Sequence, residues 1–142
     1  MDISERKAVD LLVNEFWRLG FFTISRRFGT YLPEPEIVGG FKVDVIGRLK
    51  EKYAIGIILC KEDVFNSNLL EKLIYLATRK SRSSNKPITL FIGVPSIYLK
   101  HVKELLLNID ESVRKNIRVS RIEENHINNH ADANQSQQMI FS

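Results

Sequence analysis

Tyr53 to Cys60 reads YAIGIILC, an eight-residue run without a charge and without polar–apolar alternation. A strand that is apolar on both faces belongs inside a sheet covered on both sides. The run therefore predicts helices against each face and a three-layer α/β/α sandwich, and it argues against an open antiparallel sheet. Just upstream, Phe41 to Gly47 (FKVDVIG) is a second apolar run, interrupted only by Lys42 and Asp44. As a regular strand it would put Phe41, Val43 and Val45 on one face and Lys42, Asp44 and Ile46 on the other. The turn between the two runs, Arg48 to Lys52, has neither Asn-Gly nor Asp-Gly, which predicts a hairpin loop longer than two residues.

The rest of the chain supplies the cover. Residues 2–19 have the spacing of an amphipathic helix, with Ala8, Leu11, Leu12, Phe16 and Leu19 inward, a start marked by Asp2 and Glu5, and a stop at Gly20. Phe21 to Phe28 predicts a strand with Arg26 and Arg27 on opposite faces, followed by a loop punctuated by Pro33, Pro35, Gly39 and Gly40. After Cys60, Lys61 to Asn66 reads as a linker, and a helix follows to about Lys80, with Asn68 and Glu71 at capping-box spacing. The basic, serine-rich loop RKSRSSNK leads into a third apolar strand, ITLFIGV, after Pro87. A helix from Pro95 or Ser96 to Ile109 and a strand from Ile117 to Ile122 complete the order αβββαβαβ. Strand–helix–strand from Tyr53 to Val94 implies a parallel crossover and the earlier hairpins an antiparallel part, so the central sheet should be mixed. Residues 1–122 form a single domain. Residues 123–142, rich in Asn and Gln and without an apolar period, read as a disordered tail.

Charge is distributed unevenly. All 21 Lys and Arg lie in residues 1–122, against 14 of the 17 Asp and Glu. A basic globule permits nucleic-acid binding. In the RKSRSSNK loop, Arg79, Lys80, Arg82 and Lys86 are the residues suited to contacting phosphates. No apolar run reaches the roughly 20 residues of a membrane span, and MDISERKAVD lacks the basic-then-apolar order of a signal peptide. Cys60 is the only cysteine, which rules out an internal disulfide and fits a reducing compartment, by default the cytoplasm. It reads as a small buried residue. His101, His126 and His130 have no metal-ligand spacing with it.

Two residues carry the candidate chemistry. Asp44 is an acid within an apolar strand, costly unless it has partners. It reads either as a boundary residue on a wet face or as a metal ligand or general base. Lys61 ends the most buried strand, on the face of Ile55, Ile57 and Leu59. There it is either a snorkelling strand end or an ammonium held beside a metal-bound water or a phosphate. Glu15 lies on or beside the apolar face of the first helix.

A helix, a three-strand meander with an acid on its second strand and a lysine ending its third resemble the PD-(D/E)XK nuclease superfamily, nearest its Holliday-junction-resolvase and Mrr-like branch. The resemblance covers roughly residues 2–94. It implies a restriction-endonuclease-like αβββαβ core and a nucleic-acid-processing role, with DNA the expected partner. Asp44 matches the motif aspartate, implying Mg²⁺ binding, and Lys61 the motif lysine, implying that it orients the attacking water. The acid expected two residues before the lysine is Leu59 here, so the motif reads Leu59-Cys60-Lys61. A second carboxylate for Mg²⁺ would have to come from Glu15, Glu36, Glu62 or Glu71, with Glu15 first by its facing and Glu62 last. If active, the chain would hydrolyse phosphodiesters with Asp44 and Glu15 on the metal and Lys61 beside the water. The alternatives are a nuclease-fold module that binds DNA or assembles with partners without catalysis, and an interaction protein dimerising through a sheet edge or helix.

Overall fold

The computed structural model describes residues 3–123. Helix α1 (Ile3–Arg18) leads into β1 (Phe22–Arg26), then β2 (Val45–Leu49) and β3 (Lys52–Ile58). A single helical turn, α2 (Lys61–Val64), and helix α3 (Leu69–Ala77) connect to β4 (Thr89–Pro95). A 3₁₀ turn at Ser96–Tyr98, α4 (Leu99–Leu106), the short α5 (Glu111–Arg114) and β5 (Ile117–Ile122) follow. The chain is an α/β protein with one five-stranded mixed sheet in the order β1-β2-β3-β4-β5. β1–β2 and β2–β3 pair antiparallel, β3–β4 and β4–β5 parallel. Among the described residues no helix is long and apolar enough to cross a membrane.

The apolar run of β3 is buried. Along β3 and β4, Ala54 and Phe91 join Val9, Leu12 and Phe16 of α1 in one buried cluster. Their neighbours Ile55, Ile57, Leu90, Ile92 and Val94 join Leu69, Leu73 and Leu76 of α3 and Val102 and Leu106 of α4 in another. Successive side chains of a strand point to opposite faces, and the two clusters take alternate residues of β3 and β4, one together with α1 and the other together with α3 and α4. The α1 face is unusually close. A Cβ on Gly47 would stand 2.6 Å from the Phe16 ring, and one on Gly56 2.8 Å from a Leu12 methyl. Glycine lets the helix settle directly onto the strands. On α1 itself Val9 is buried, while Leu11, expected inward, is half-exposed.

Several boundaries differ from the sequence expectation for local reasons. The β2–β3 connection is two residues, Lys50-Glu51, because Leu49 pairs with Lys52. Lys50 takes the left-handed conformation (φ 56°) usually left to Asn or Gly, and Arg48 Nε closes the turn on its carbonyl at 2.6 Å. β2 starts at Val45, not Phe41, because the chain bends at Asp44. Phe41 and Val43 consequently pack with the α3-side cluster while Val45 packs with the α1 side, so the three do not share a face. The expected linker after Cys60 is helical: the Asp63 carboxylate turns back to accept the Cys60 amide at 2.9 Å, which starts α2 at Lys61. The start of α3 is held by Asn66 Oδ1, which accepts the Asn68 amide at 2.7 Å, and the Asn68 side chain makes no cap bond. The Asp2 start signal lies outside the described residues, as does the tail beyond Glu123.

Candidate functional site

Asp44 is buried and both of its carboxylate oxygens are engaged. Oδ1 accepts from Arg27 Nη1 at 2.7 Å, and Oδ2 accepts the Ile58 backbone amide at 2.7 Å. Its own backbone continues the sheet in both directions, with its amide on the Gly56 carbonyl and its carbonyl accepting the Arg27 amide. Arg27 reaches further: Nη2 donates to Glu5 Oε1 at 2.9 Å. One guanidinium therefore links an acid of α1 to an acid at the head of β2. Burial works against the Arg27 charge, but its bonds to Asp44 and Glu5 outweigh that penalty and raise its pKa above the ordinary arginine value.

The position of Arg27 follows from its strand end. β1 stops at Arg26, and Phe28 adopts a left-handed conformation (φ 61°), rare for a bulky residue. The Arg6 and Arg27 guanidinium groups both lie over the Phe28 ring, at 5.2 and 4.7 Å. Arg26 and Arg27 thus both meet α1, through Asp10 and Glu5, rather than diverging to opposite faces.

Around this pair lies a cleft of about 510 Å³. Its charged lining is the carboxylates Glu5, Glu34 and Asp44 and the cations Arg27 and Lys42. The other expected site residues are elsewhere. Glu15 pairs with Arg18 on its own helix; ten residues from Glu5, it stands about 15 Å further along the axis. Lys61 is the exposed first residue of α2 and does not line the cleft; Lys42 is the lysine that does. Glu36, Glu62 and Glu71 are absent from the lining, whereas Glu34 belongs to it. Nothing local in the sequence joins Glu5 to Arg27, whose link spans 22 residues; the available signal was an acid in the first turn of α1 and an arginine directly after the first strand.

Mg²⁺ calls for near-octahedral oxygen donors at about 2.0–2.1 Å. Here N–H donors occupy both Asp44 oxygens, and a guanidinium stands between the two carboxylates that a divalent ion would bridge. The donor set in this arrangement does not fit the ion. Among the described residues no group of three His, Cys, Asp or Glu side chains is placed to hold a metal.

Cys60 is exposed, contrary to the buried position expected. Partial burial and the Asp63 carboxylate, 3.1 Å from the sulfur, push its thiol pKa up, away from the thiolate a nucleophile needs.

The basic loop lies at the other end of the sheet. Ser84 Oγ donates to the Glu51 carbonyl at 2.9 Å and Lys86 Nζ is 3.7 Å from the Glu51 carboxylate, which fixes the loop beside the β2–β3 turn. Asp44 meets β3 at Gly56 and Ile58. The run of β3 between these points puts about 20 Å between the loop and the acid. Lys80 and Arg82 are exposed, but Arg79 is anchored: Nε donates to the Tyr75 carbonyl at 2.8 Å and the guanidinium lies 3.8 Å from the Tyr75 ring centroid. No protein-family model, curated protein or solved structure matches the chain.

Proposed function

We propose that this chain is a nucleic-acid-binding module of the PD-(D/E)XK nuclease fold that acts without metal-dependent hydrolysis, in the cytoplasm, with DNA as its partner. In this reading the molecule is a three-layer α/β/α sandwich with a restriction-endonuclease-like core. The element order α1-β1-β2-β3, a helix, then a parallel β4 supports it, as do the two apolar clusters, one with α1 and the other with α3 and α4. One observation favours binding over catalysis: Arg27 bridges Glu5 and Asp44 and supplies the positive charge a divalent ion would bring to that acid pair. Asp44 then organises the sheet, and the exposed cations carry the interaction with nucleic acid.

The second reading is Mg²⁺-dependent phosphodiester hydrolysis, favoured by three carboxylates, Glu5, Glu34 and Asp44, lining one cleft. It requires Arg27 to leave the pair, and neither Lys61 nor Glu15 lines that cleft. Cleavage assays on supercoiled, linear and branched DNA with and without Mg²⁺ separate the two. The expected result is no metal-dependent cleavage, with salt-dependent binding that survives Asp44→Asn. Cleavage that requires Mg²⁺ and disappears in a folded Asp44→Asn variant would establish the second reading instead. A second copy of the chain is a further partner compatible with the fold, since Phe22 and Ile24 of the edge strand β1 and Trp17 of α1, which packs against Phe22, are exposed.

A further inference from the structure

The β2–β3 turn and the loop before β4 lie about thirty residues apart in the chain and meet at one end of the sheet. The loop is built, not slack. Ser81 is buried, its amide donates to the Lys86 carbonyl at 2.9 Å, and its own carbonyl accepts the Asn85 amide at 2.7 Å. Lys80 and Pro87 close its base as a β-bridge. The turn presents Arg48, Lys50 and Lys52, and the loop Lys80, Arg82 and Lys86, all exposed. Glu51 is the one acid in the two segments, and its ion pair with Lys86 ties them together. Charges assembled from two segments within about a Debye length add to one field, which neither segment supplies alone.

The aromatic rings here indicate how such a surface would bind. Proteins that hold single strands stack bases on open rings. The Arg48 guanidinium lies over Tyr53 at 5.4 Å and that of Arg79 over Tyr75 at 3.8 Å, so each ring already carries a cation on one face. What remains outward is ammonium and guanidinium groups suited to phosphate oxygens.

We infer that the β2–β3 turn and the loop before β4 form one phosphate-binding surface for double-stranded nucleic acid, in which Lys50 and Lys52 are contact residues alongside Lys80 and Arg82. The inference rests on the nucleic-acid reading above and adds the turn, the duplex and the sequence-independent mode. The bound duplex lies at the end of the sheet away from Asp44.

The test is fluorescence anisotropy with the full chain, two labelled DNA duplexes of unrelated sequence, a single strand of equal length, and phosphatidylserine vesicles, across a salt series. The wild type should bind both duplexes equally and the single strand more weakly. Lys50→Glu with Lys52→Glu should lower duplex affinity at least tenfold, and the milder Lys50→Gln with Lys52→Gln should reduce the salt slope by about two. Lys61→Glu, at the far end of β3, should change affinity less than about twofold. Thermal melts of each variant establish that it folds. Loss of binding in Lys80→Glu with Arg82→Glu but not in the turn variants would overturn the joint surface while leaving nucleic-acid binding standing. Preference for the single strand would overturn the backbone mode. Binding to vesicles with none to duplex would assign the surface to lipid. No nucleic-acid binding even at low salt would overturn both this inference and the reading beneath it.

Discussion

The Ile58 amide donates to Asp44 Oδ2 at 2.7 Å, so a side-chain carboxylate takes the place that a strand carbonyl would fill. The next residue, Leu59, sends its amide to Gly93 on the β4 side, which leaves the Ile58 amide facing the β2 side. There β2 has not yet begun, and Asp44 completes the ladder with its side chain while Arg27 balances its charge.

Asp44→Ala should therefore destabilise the fold by about 2–4 kcal/mol, since it strands the Ile58 amide and removes one of the two carboxylate partners of Arg27. Asp44→Asn should cost less, because one oxygen can still accept from Ile58. In a double-mutant cycle the Arg27–Asp44 coupling should exceed the Arg27–Glu5 coupling. Glu5 is half-exposed, and a pair of that kind contributes less than about 1 kcal/mol. Urea unfolding measures all of these. An Asp44→Ala variant as stable as the wild type would remove the structural role assigned to the carboxylate.

Divalent ions give a second check. An ion that binds only the folded state raises its stability by mass action. With Arg27 between the two acids, millimolar Mg²⁺ should leave the unfolding temperature of the wild type unchanged beyond the effect of matched ionic strength. A specific rise that Asp44→Asn abolishes would mean that Arg27 yields its place to the ion.

Gly56→Ala probes how closely α1 sits on the sheet. The added methyl would meet a Leu12 methyl at 2.8 Å and the Phe16 ring at 3.1 Å. Overpacking of this kind costs about 1–3 kcal/mol. Leu12→Val in the same chain should recover part of the loss, and strict additivity of the two effects would argue against the contact.

Cys60 should alkylate slowly at neutral pH. Partial burial and the neighbouring Asp63 disfavour the thiolate, so the rate of iodoacetamide reaction should rise with pH and inflect above the ordinary thiol value of about 8.5. Asp63→Asn should move the inflection down and speed the reaction. An inflection at or below the ordinary value in the wild type would contradict the contact.

The elements themselves were readable because their signals are local. The uncharged run of β3 called for burial, and its residues are buried in two clusters, one holding Leu12 and Phe16 and the other Leu73 and Leu76. Boundaries set by a single hydrogen bond were not readable. Asp63 reaching back to Cys60 turns an expected linker into a helix, and Lys50 accepts a left-handed conformation where an Asn-Gly pair was the usual sign of a tight turn. The surroundings of Asp44 were half legible. Asp44 stood out because an acid in an apolar strand must find a partner, and nothing near it in the chain named which one.

Composition and periodicity thus determined an α/β chain with a mixed sheet and a buried third strand, because burial of apolar faces depends on residues three, four or two positions apart. Tertiary structure alone decided what surrounds Asp44 and which cations share a surface. Arg27 meets Asp44 across 17 residues and Glu5 across 22, and Ser84 meets Glu51 across 33. Charge pairing acts through space, and only the assembled sheet sets those distances.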